Sequence, residues 1–131
     1  MSQNTRFTVS IDGVQFNNFH PDSGSCVTVI SKYHHKELKH SLKQSLPLHP
    51  INRHFRAANG SEIIFQGFFF ANLATLSGTS IKTKIYVLNL APEEPPLLGE
   101  SDMLRLGLIK YNPNGGMVKK YLYLFKTKDP H

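Results

Sequence analysis

One acidic side chain stands in a setting that can support chemistry. The sequence Asp22-Ser23-Gly24-Ser25 is followed directly by the apolar run 27–30. Gly24 permits a sharp turn beside the carboxylate, and the two serine hydroxyls can hold it. The apolar run would bury the turn against a core, where a carboxylate can act as a general acid or base. The commoner role of a lone aspartate in a turn is to hydrogen-bond its own backbone.

Two predicted strands position this turn. Residues 6–19 alternate between apolar and polar types around the tight-turn signal Asp12-Gly13, which predicts a β-hairpin leading to Asp22. Residues 27–30 are predicted to leave the turn as the next strand.

The remaining pattern is that of a mostly β domain with one or two short helices. Leucines at i, i+4 and i+8, beginning with Leu38, predict a helix over residues 31–46 that ends before Pro47. A second short helix is predicted over residues 101–106, with Gly107 as its stop.

Further hairpins are predicted on either side of a phenylalanine run. Asn59-Gly60 is a strong hairpin signal at the centre of residues 55–65, and its turn type would place both residues at positive φ. A second hairpin is predicted over residues 73–90. Residues 111–131 are predicted to be a C-terminal tail or an extra hairpin.

Three segments at matching spacing point to one family. The first is the turn Asp22-Ser23-Gly24-Ser25, and the second is Ala57-Ala58-Asn59-Gly60-Ser61. The third is Leu97-Leu98-Gly99, followed by the predicted helix. In this order they resemble the catalytic loop, the flap and the closing apolar-apolar-Gly strand of retropepsin-like aspartic proteases, especially those of retroviruses and gypsy-type long-terminal-repeat retrotransposons. The resemblance covers residues 7–109.

The resemblance implies a fold and a set of site residues. Residues 1–110 would form a retropepsin-like closed β-barrel-type acid protease domain. Asp22 would be the catalytic residue, with Ser23, Gly24 and Ser25 as the active-site loop. The hydroxyl of Ser23 would reach across a dimer, and that of Ser25 would hydrogen-bond Asp22 of its own chain. The flap tip would consist of Ala58, Asn59 and Gly60, and the closing strand of Leu97, Leu98 and Gly99.

The implied activity is that of an endopeptidase without cofactor or metal. Two carboxylates share one proton and activate a water that attacks the scissile carbonyl. Asp22 alone has the required setting, since Asp12 lies in a hairpin turn, Asp102 in the first turn of a helix and Asp129 in the tail. A C2 homodimer is therefore expected to complete the site, with a polypeptide substrate bound in extended form.

The chain departs from the family pattern just before Asp22. The family has aliphatic residues where this sequence has Phe19-His20-Pro21. Proline lacks an N–H and fits poorly inside a sheet. Either the strand ends early and leaves a bent, working loop, or the chain is a catalytically inactive remnant that acts as an interaction module.

A basic stretch allows a third function. The formal net charge is +6, and residues 31–56 hold six Lys or Arg, one acid and five of the seven histidines. Such a stretch is found in nucleic-acid-binding β domains as well as on solvated helix faces. The histidine spacing does not match a zinc site, so these histidines are expected to be exposed.

Composition also bears on the compartment. Cys26 is the one cysteine, which excludes an intramolecular disulfide framework and suits an intracellular, reducing compartment such as the cytoplasm. No run of apolar residues is long enough to cross a bilayer, so no membrane partner is expected.

Overall fold

Strands dominate the computed structural model, which describes residues 6–57 and 59–109. The predicted tail, 111–131, and the flap residue Ala58 lie outside the described residues. The elements in chain order are β1 (Phe7–Ile11), β2 (Val14–Asp22), β3 (Thr28–Ser31), α1 (Lys32–Leu42), β4 (Phe55–Arg56), β5 (Glu62–Ile63), β6 (Gly67–Thr75), β7 (Ser80–Leu88), β8 (Leu97–Gly99) and α2 (Glu100–Arg105).

Six of these strands close into a barrel. Their order is β1-β2-β8-β3-β7-β6, and antiparallel pairing of β6 with β1 completes the circle. The short strands β4 and β5 form a separate two-stranded sheet. The prediction of a mostly β domain built on a closed barrel is confirmed.

The first hairpin forms at the predicted turn. Asp12 and Gly13 both have positive φ, 49° and 89°, as the predicted two-residue turn requires. The turn is also tied to β6, since the backbone N–H of Asn72 donates to Oδ1 of Asp12 over 2.8 Å. The hairpin thereby fixes the start of the long strand that ends at Asp22.

Of the two alternatives for Phe19-His20-Pro21, the one in which the strand ends early is wrong, because β2 continues through Pro21 to Asp22. The N–H of His20 donates to the carbonyl of Pro96 over 2.9 Å, on the side that pairs with β8. N–H groups of a strand point alternately to its two sides, so the nitrogen of Pro21 faces away from β8. Proline at this position therefore removes no hydrogen bond from the pairing of β2 with β8.

The barrel interior holds the main hydrophobic core. Its fully buried side chains come from several strands and from the segment around α2, and they include Val9, Ile11, Phe19, Ile30, Leu73, Ile85, Leu98 and Met103. A second cluster of Val29, Phe55 and Tyr86 lies under the β4–β5 hairpin, with Phe65 and Leu97 packed against it. The two faces of the barrel wall thus have separate apolar clusters, and the second one borders the predicted site.

Helix α1 begins as predicted but ends sooner. The backbone N–H of His34 donates to Oγ of Ser31, which caps the start. The helix ends at Leu42, four residues before the predicted end, where Lys43 adopts a left-handed conformation with φ 54°. Leu42 and Leu46 still pack against the main core, as the leucine spacing indicated. Neither described helix is long and apolar enough to span a membrane.

One histidine of α1 corrects the expectation that the histidines are exposed. His35 is only 7% exposed. Its Nε2 lies 2.9 Å from the carbonyl oxygen of Leu46, and its ring lies 5.2 Å from the ring of Phe69. Burial lowers the pKa of His35 from its usual 6.5, and burial lowers the pKa of His34 as well.

These lowered pKa values predict a loss of stability in acid. The unfolded chain binds the His35 proton more readily than the folded chain, so the folded state loses stability as pH falls below about 6.5. We expect urea denaturation to give a lower unfolding free energy at about pH 5.5 than at about pH 7.5. His35→Gln should reduce that difference and leave the part due to His34.

The matched control is His40→Gln, which changes an exposed histidine on the same helix. It should reduce the difference in unfolding free energy between the two pH values less than His35→Gln does. Equal pH dependence in the wild type and in His35→Gln would contradict a buried, neutral His35.

Candidate active site

Asp22 is the last residue of β2, and the barrel sets it opposite Gly99. The two residues are partners in the parallel pairing of β2 with β8. Oδ1 of Asp22 accepts the backbone N–H of Gly24 over 3.0 Å, and its carbonyl accepts the N–H of Ser25 over 3.0 Å. Among the described residues, no hydrogen bond is made to Oδ2. One oxygen therefore holds the turn, and the other is available to a substrate, a water or a second subunit.

Gly99 sits where no side chain fits. A Cβ at this position would lie 2.5 Å from the carbonyl carbon of Val27 and 2.9 Å from the nitrogen of Thr28. Both atoms are backbone and cannot move aside without moving β3. The predicted apolar-apolar-Gly strand therefore needs its glycine for close approach to the chain that leaves the Asp22 turn.

A buried hydroxyl fastens these segments together. Oγ1 of Thr28 accepts the N–H of Gly99 over 3.1 Å and donates to Oδ2 of Asp102 over 2.6 Å. Thr83 donates to the other oxygen of Asp102 over 2.8 Å, and Arg105 lies 3.6 Å from it. Asp102 is 4% exposed, so its charge is satisfied by these three groups.

One serine of the loop, Ser25, has different surroundings from those that the family resemblance implies. The hydroxyl of Ser25 donates to the carbonyl of Val27 over 2.6 Å, so the hydrogen bond to Asp22 implied for it is not the one that it makes. The carbonyl of Ser25 accepts the N–H of Glu100 over 2.8 Å, which ties the loop to α2. Ser23 is half-buried and lines the cleft described next.

A cleft of about 390 Å³ lies between this loop and the β4–β5 hairpin. Its lining is mainly apolar above a polar floor. The floor is Asp22 to Cys26, and the apolar part includes Val27, Val29, Phe55, Ile63, Phe65, Leu88 and Leu97. Among the described residues that line it, Asp22 carries the only carboxylate. The chain thus has an acidic group at the floor of an apolar cleft, beneath a hairpin.

The hairpin forms at the predicted place, but its turn differs. The N–H of Ala57 donates to the carbonyl of Ser61 over 2.8 Å, and the N–H of Gly60 donates to the carbonyl of Ala57 over 2.9 Å. The connection between Ala57 and Ser61 is therefore closed with Gly60 at φ 89°. In three-residue hairpins glycine takes the left-handed position that closes the loop. Asn59 instead accepts the backbone N–H and the hydroxyl of Ser61 through its side chain.

The cleft receives the base of the hairpin and not its tip. Phe55, Arg56, Ala57 and Ile63 line it, whereas Asn59 and Gly60 are exposed and outside the lining. Of the predicted flap residues, Asn59 and Gly60 therefore do not close over Asp22 in the single chain.

Sequence reasoning missed Thr28 and Asp102. Asp102 was recognised only as a residue in the first turn of a helix, a position that acids favour for electrostatic reasons alone. No local pattern indicates its burial, since its hydroxyl partners Thr28 and Thr83 lie 74 and 19 positions away in the sequence. No group of three or more His, Cys, Asp or Glu residues in the described ranges is arranged to hold a metal ion.

Comparison with known proteins adds no relative. A scan against protein-family models finds no match, and a search of the curated proteins finds none either. The function is therefore inferred from the residues and their geometry.

The Thr28 hydroxyl leads to a stability prediction. Thr28→Val keeps the shape of the side chain but leaves the Gly99 N–H and one oxygen of Asp102 without their partner. We expect the unfolding free energy, measured by urea denaturation, to fall by about 1–3 kcal/mol. Thr75→Val is the control, because its hydroxyl pairs with Ser77 at the surface, and it should change stability by less than about 0.5 kcal/mol. Equal losses of unfolding free energy in the two variants would show that the buried hydrogen bonds of Thr28 stabilise the fold no more than the surface hydrogen bond of Thr75.

Proposed function

We propose that this chain is an aspartic endopeptidase of the retropepsin-like type, whose active site is completed by a second copy of the chain. The observation that carries the proposal is the pairing of Asp22 with Gly99 at the floor of an apolar cleft beneath the β4–β5 hairpin. The loop that resembles the catalytic loop, the strand that resembles the closing strand and the base of the β4–β5 hairpin all line this cleft, which supports the proposal.

The apolar lining supports a polypeptide substrate. Strands β4 and β5 are two residues long and offer backbone groups to an extended chain, while Phe55, Ile63 and Leu97 offer apolar contacts. An extended peptide bound in this way gains affinity from main-chain hydrogen bonds and selectivity from side-chain pockets. Apolar residues are expected on both sides of the cleaved bond.

The chemistry needs two carboxylates, and the described part of the cleft has one. In a dimer, Asp22 of each subunit would face the other across the two-fold axis, close enough that the pair holds one proton at working pH. The ionised carboxylate would take a proton from a water as that water attacks the scissile carbonyl, and the protonated one would donate to the carbonyl oxygen. The tetrahedral intermediate then collapses as the amide nitrogen gains a proton and leaves.

The unusual Phe19-His20-Pro21 segment is compatible with this activity. Phe19 is fully buried in the main core, and β2 runs unbroken to Asp22. The strand that presents the carboxylate is therefore held in place on both sides of the proline.

The first test compares peptide cleavage by the wild type and by Asp22→Asn. We expect the wild type to cut peptides with apolar residues at the cut, at mildly acid pH and with inhibition by pepstatin. Asp22→Asn should lower kcat at least about a thousandfold, because an amide cannot take the proton from water. Asp12→Asn makes the same chemical change at the distant hairpin turn and should retain activity. A dimer that shows no cleavage of any peptide would instead identify an inactive remnant.

The second test asks whether two subunits share the site. Wild-type and Asp22→Asn chains are co-refolded in varying ratios, and activity is measured against the wild-type fraction. An equal mixture should retain about a quarter of the activity, since only one dimer in about four has two intact carboxylates. A mixture that retains about half would show that each chain works alone.

A further inference from the structure

A second pocket on the barrel has a lining with a net positive charge. It encloses about 500 Å³. We call it the basic pocket, and its lining residues are Cys26, Val27, Arg53, Phe70, Lys82, Thr83, Lys84, Tyr86, Ser101, Asp102 and Arg105. Four of these side chains are cationic and one is anionic.

The cations come from three different parts of the chain. Arg53 precedes β4, Lys82 and Lys84 lie on the same outward face of β7, and Arg105 ends α2. The one carboxylate, Asp102, is already engaged by the hydroxyls of two threonines and by Arg105. The pocket therefore keeps an excess of positive charge that nothing among its described lining residues neutralises.

Aromatic rings hold two of these cations in place. The guanidinium carbon of Arg53 lies 4.5 Å from the ring centre of Phe55, and Nζ of Lys84 lies 4.8 Å from that of Phe68. Such cation–π contacts restrict long side chains that would otherwise move freely in solvent. The positive groups are thus partly preorganised for an anionic partner, which lowers the entropy lost on binding.

The basic pocket adjoins the cleft. Cys26 and Val27 line both, and Arg53 reaches within 3.9 Å of the Cys26 sulfur while it covers Phe55, which lines the cleft. A polypeptide that leaves the cleft over Cys26 and Val27 would therefore come next to the basic pocket.

We propose that the basic pocket binds acidic side chains of the polypeptide substrate, at a distance of several residues from the bond that lies over Asp22. This inference rests on the proposed function for its substrate and adds the charge that the substrate must have. The apolar cleft would select the residues beside the cut, and the basic pocket would select a segment rich in Glu or Asp on one flank.

A nucleic acid is less well suited to this site. Single strands bind along a track of cations with several stacking rings. Here the cations converge on one concavity, and Phe70 is the exposed ring in its lining. The exposed lysines Lys32 and Lys36 on α1 line a different pocket.

The test compares two labelled peptides that share an apolar centre and differ in one flank, which holds a run of Glu or the same number of Gln. Binding to the Asp22→Asn protein is measured by fluorescence anisotropy, so that no cleavage is needed. We expect the Glu peptide to bind about tenfold more tightly at low salt, with the difference shrinking at about 0.5 M salt. The double variant Lys82→Glu/Lys84→Glu should abolish the preference, and the charge-matched control Lys32→Glu/Lys36→Glu should keep it.

Cleavage of the same peptides by the protein with intact Asp22 separates the two proposals. Selective binding of the Glu peptide through Lys82 and Lys84, with neither peptide cut, would support the basic pocket and overturn the protease. Cleavage of both peptides at equal rates, with equal binding, would support the protease and overturn the acidic preference. Tighter binding of a single-stranded oligonucleotide, lost in Lys82→Glu/Lys84→Glu, would assign the pocket to nucleic acid and overturn the inference as well.

Discussion

The buried hydroxyl of Thr28 connects the three segments on which the site depends. It accepts from the backbone of Gly99 in β8 and donates to Asp102 in α2, while Thr28 itself belongs to β3. Each of these polar groups is removed from water, and an unpaired one would cost about 1–3 kcal/mol. The close packing of β3 on β8 is stable only because this small group satisfies both a donor and an acceptor.

The position of Asp22 follows from that junction. Gly99 can lie against the backbone of Val27 only because it has no side chain, and β8 then pairs in parallel with the end of β2. The loop between β2 and β3 is held at its far side by the hydrogen bond from Glu100 to Ser25. The carboxylate thus stands on a short loop fixed at both ends, which holds it in one position.

Local patterns in the sequence were sufficient to predict the two hairpins that border the site. The alternation around Asp12-Gly13 and the Asn59-Gly60 signal each specify a hairpin within a few residues, so both were predicted. The proximity of Asp22 to Gly99 followed from the order of the segments in a resembling family, and not from the residues by themselves. The contact between Thr28 and Asp102 joins residues 74 positions apart, and no local pattern encodes it.

Two errors have the same origin. Helix α1 ends at Leu42 because the chain folds back there. The segment that folds back brings the carbonyl of Leu46 to the imidazole of His35, and this buries the histidine. Helix periodicity marks the apolar face of α1 correctly but does not show what covers its edge. Likewise, Pro21 fits in β2 because its nitrogen faces away from β8, the strand that pairs with this end of β2.

The Asp22 turn and strand β8 are far apart in the sequence, and this separation affects how the chain folds during its synthesis. Strand β8 emerges from the ribosome long after the aspartate turn, and until then β2 lacks its parallel neighbour. Closing so long a loop is slow compared with forming a local hairpin. A nascent chain would therefore carry its carboxylate without a formed cleft until β8 has been synthesised.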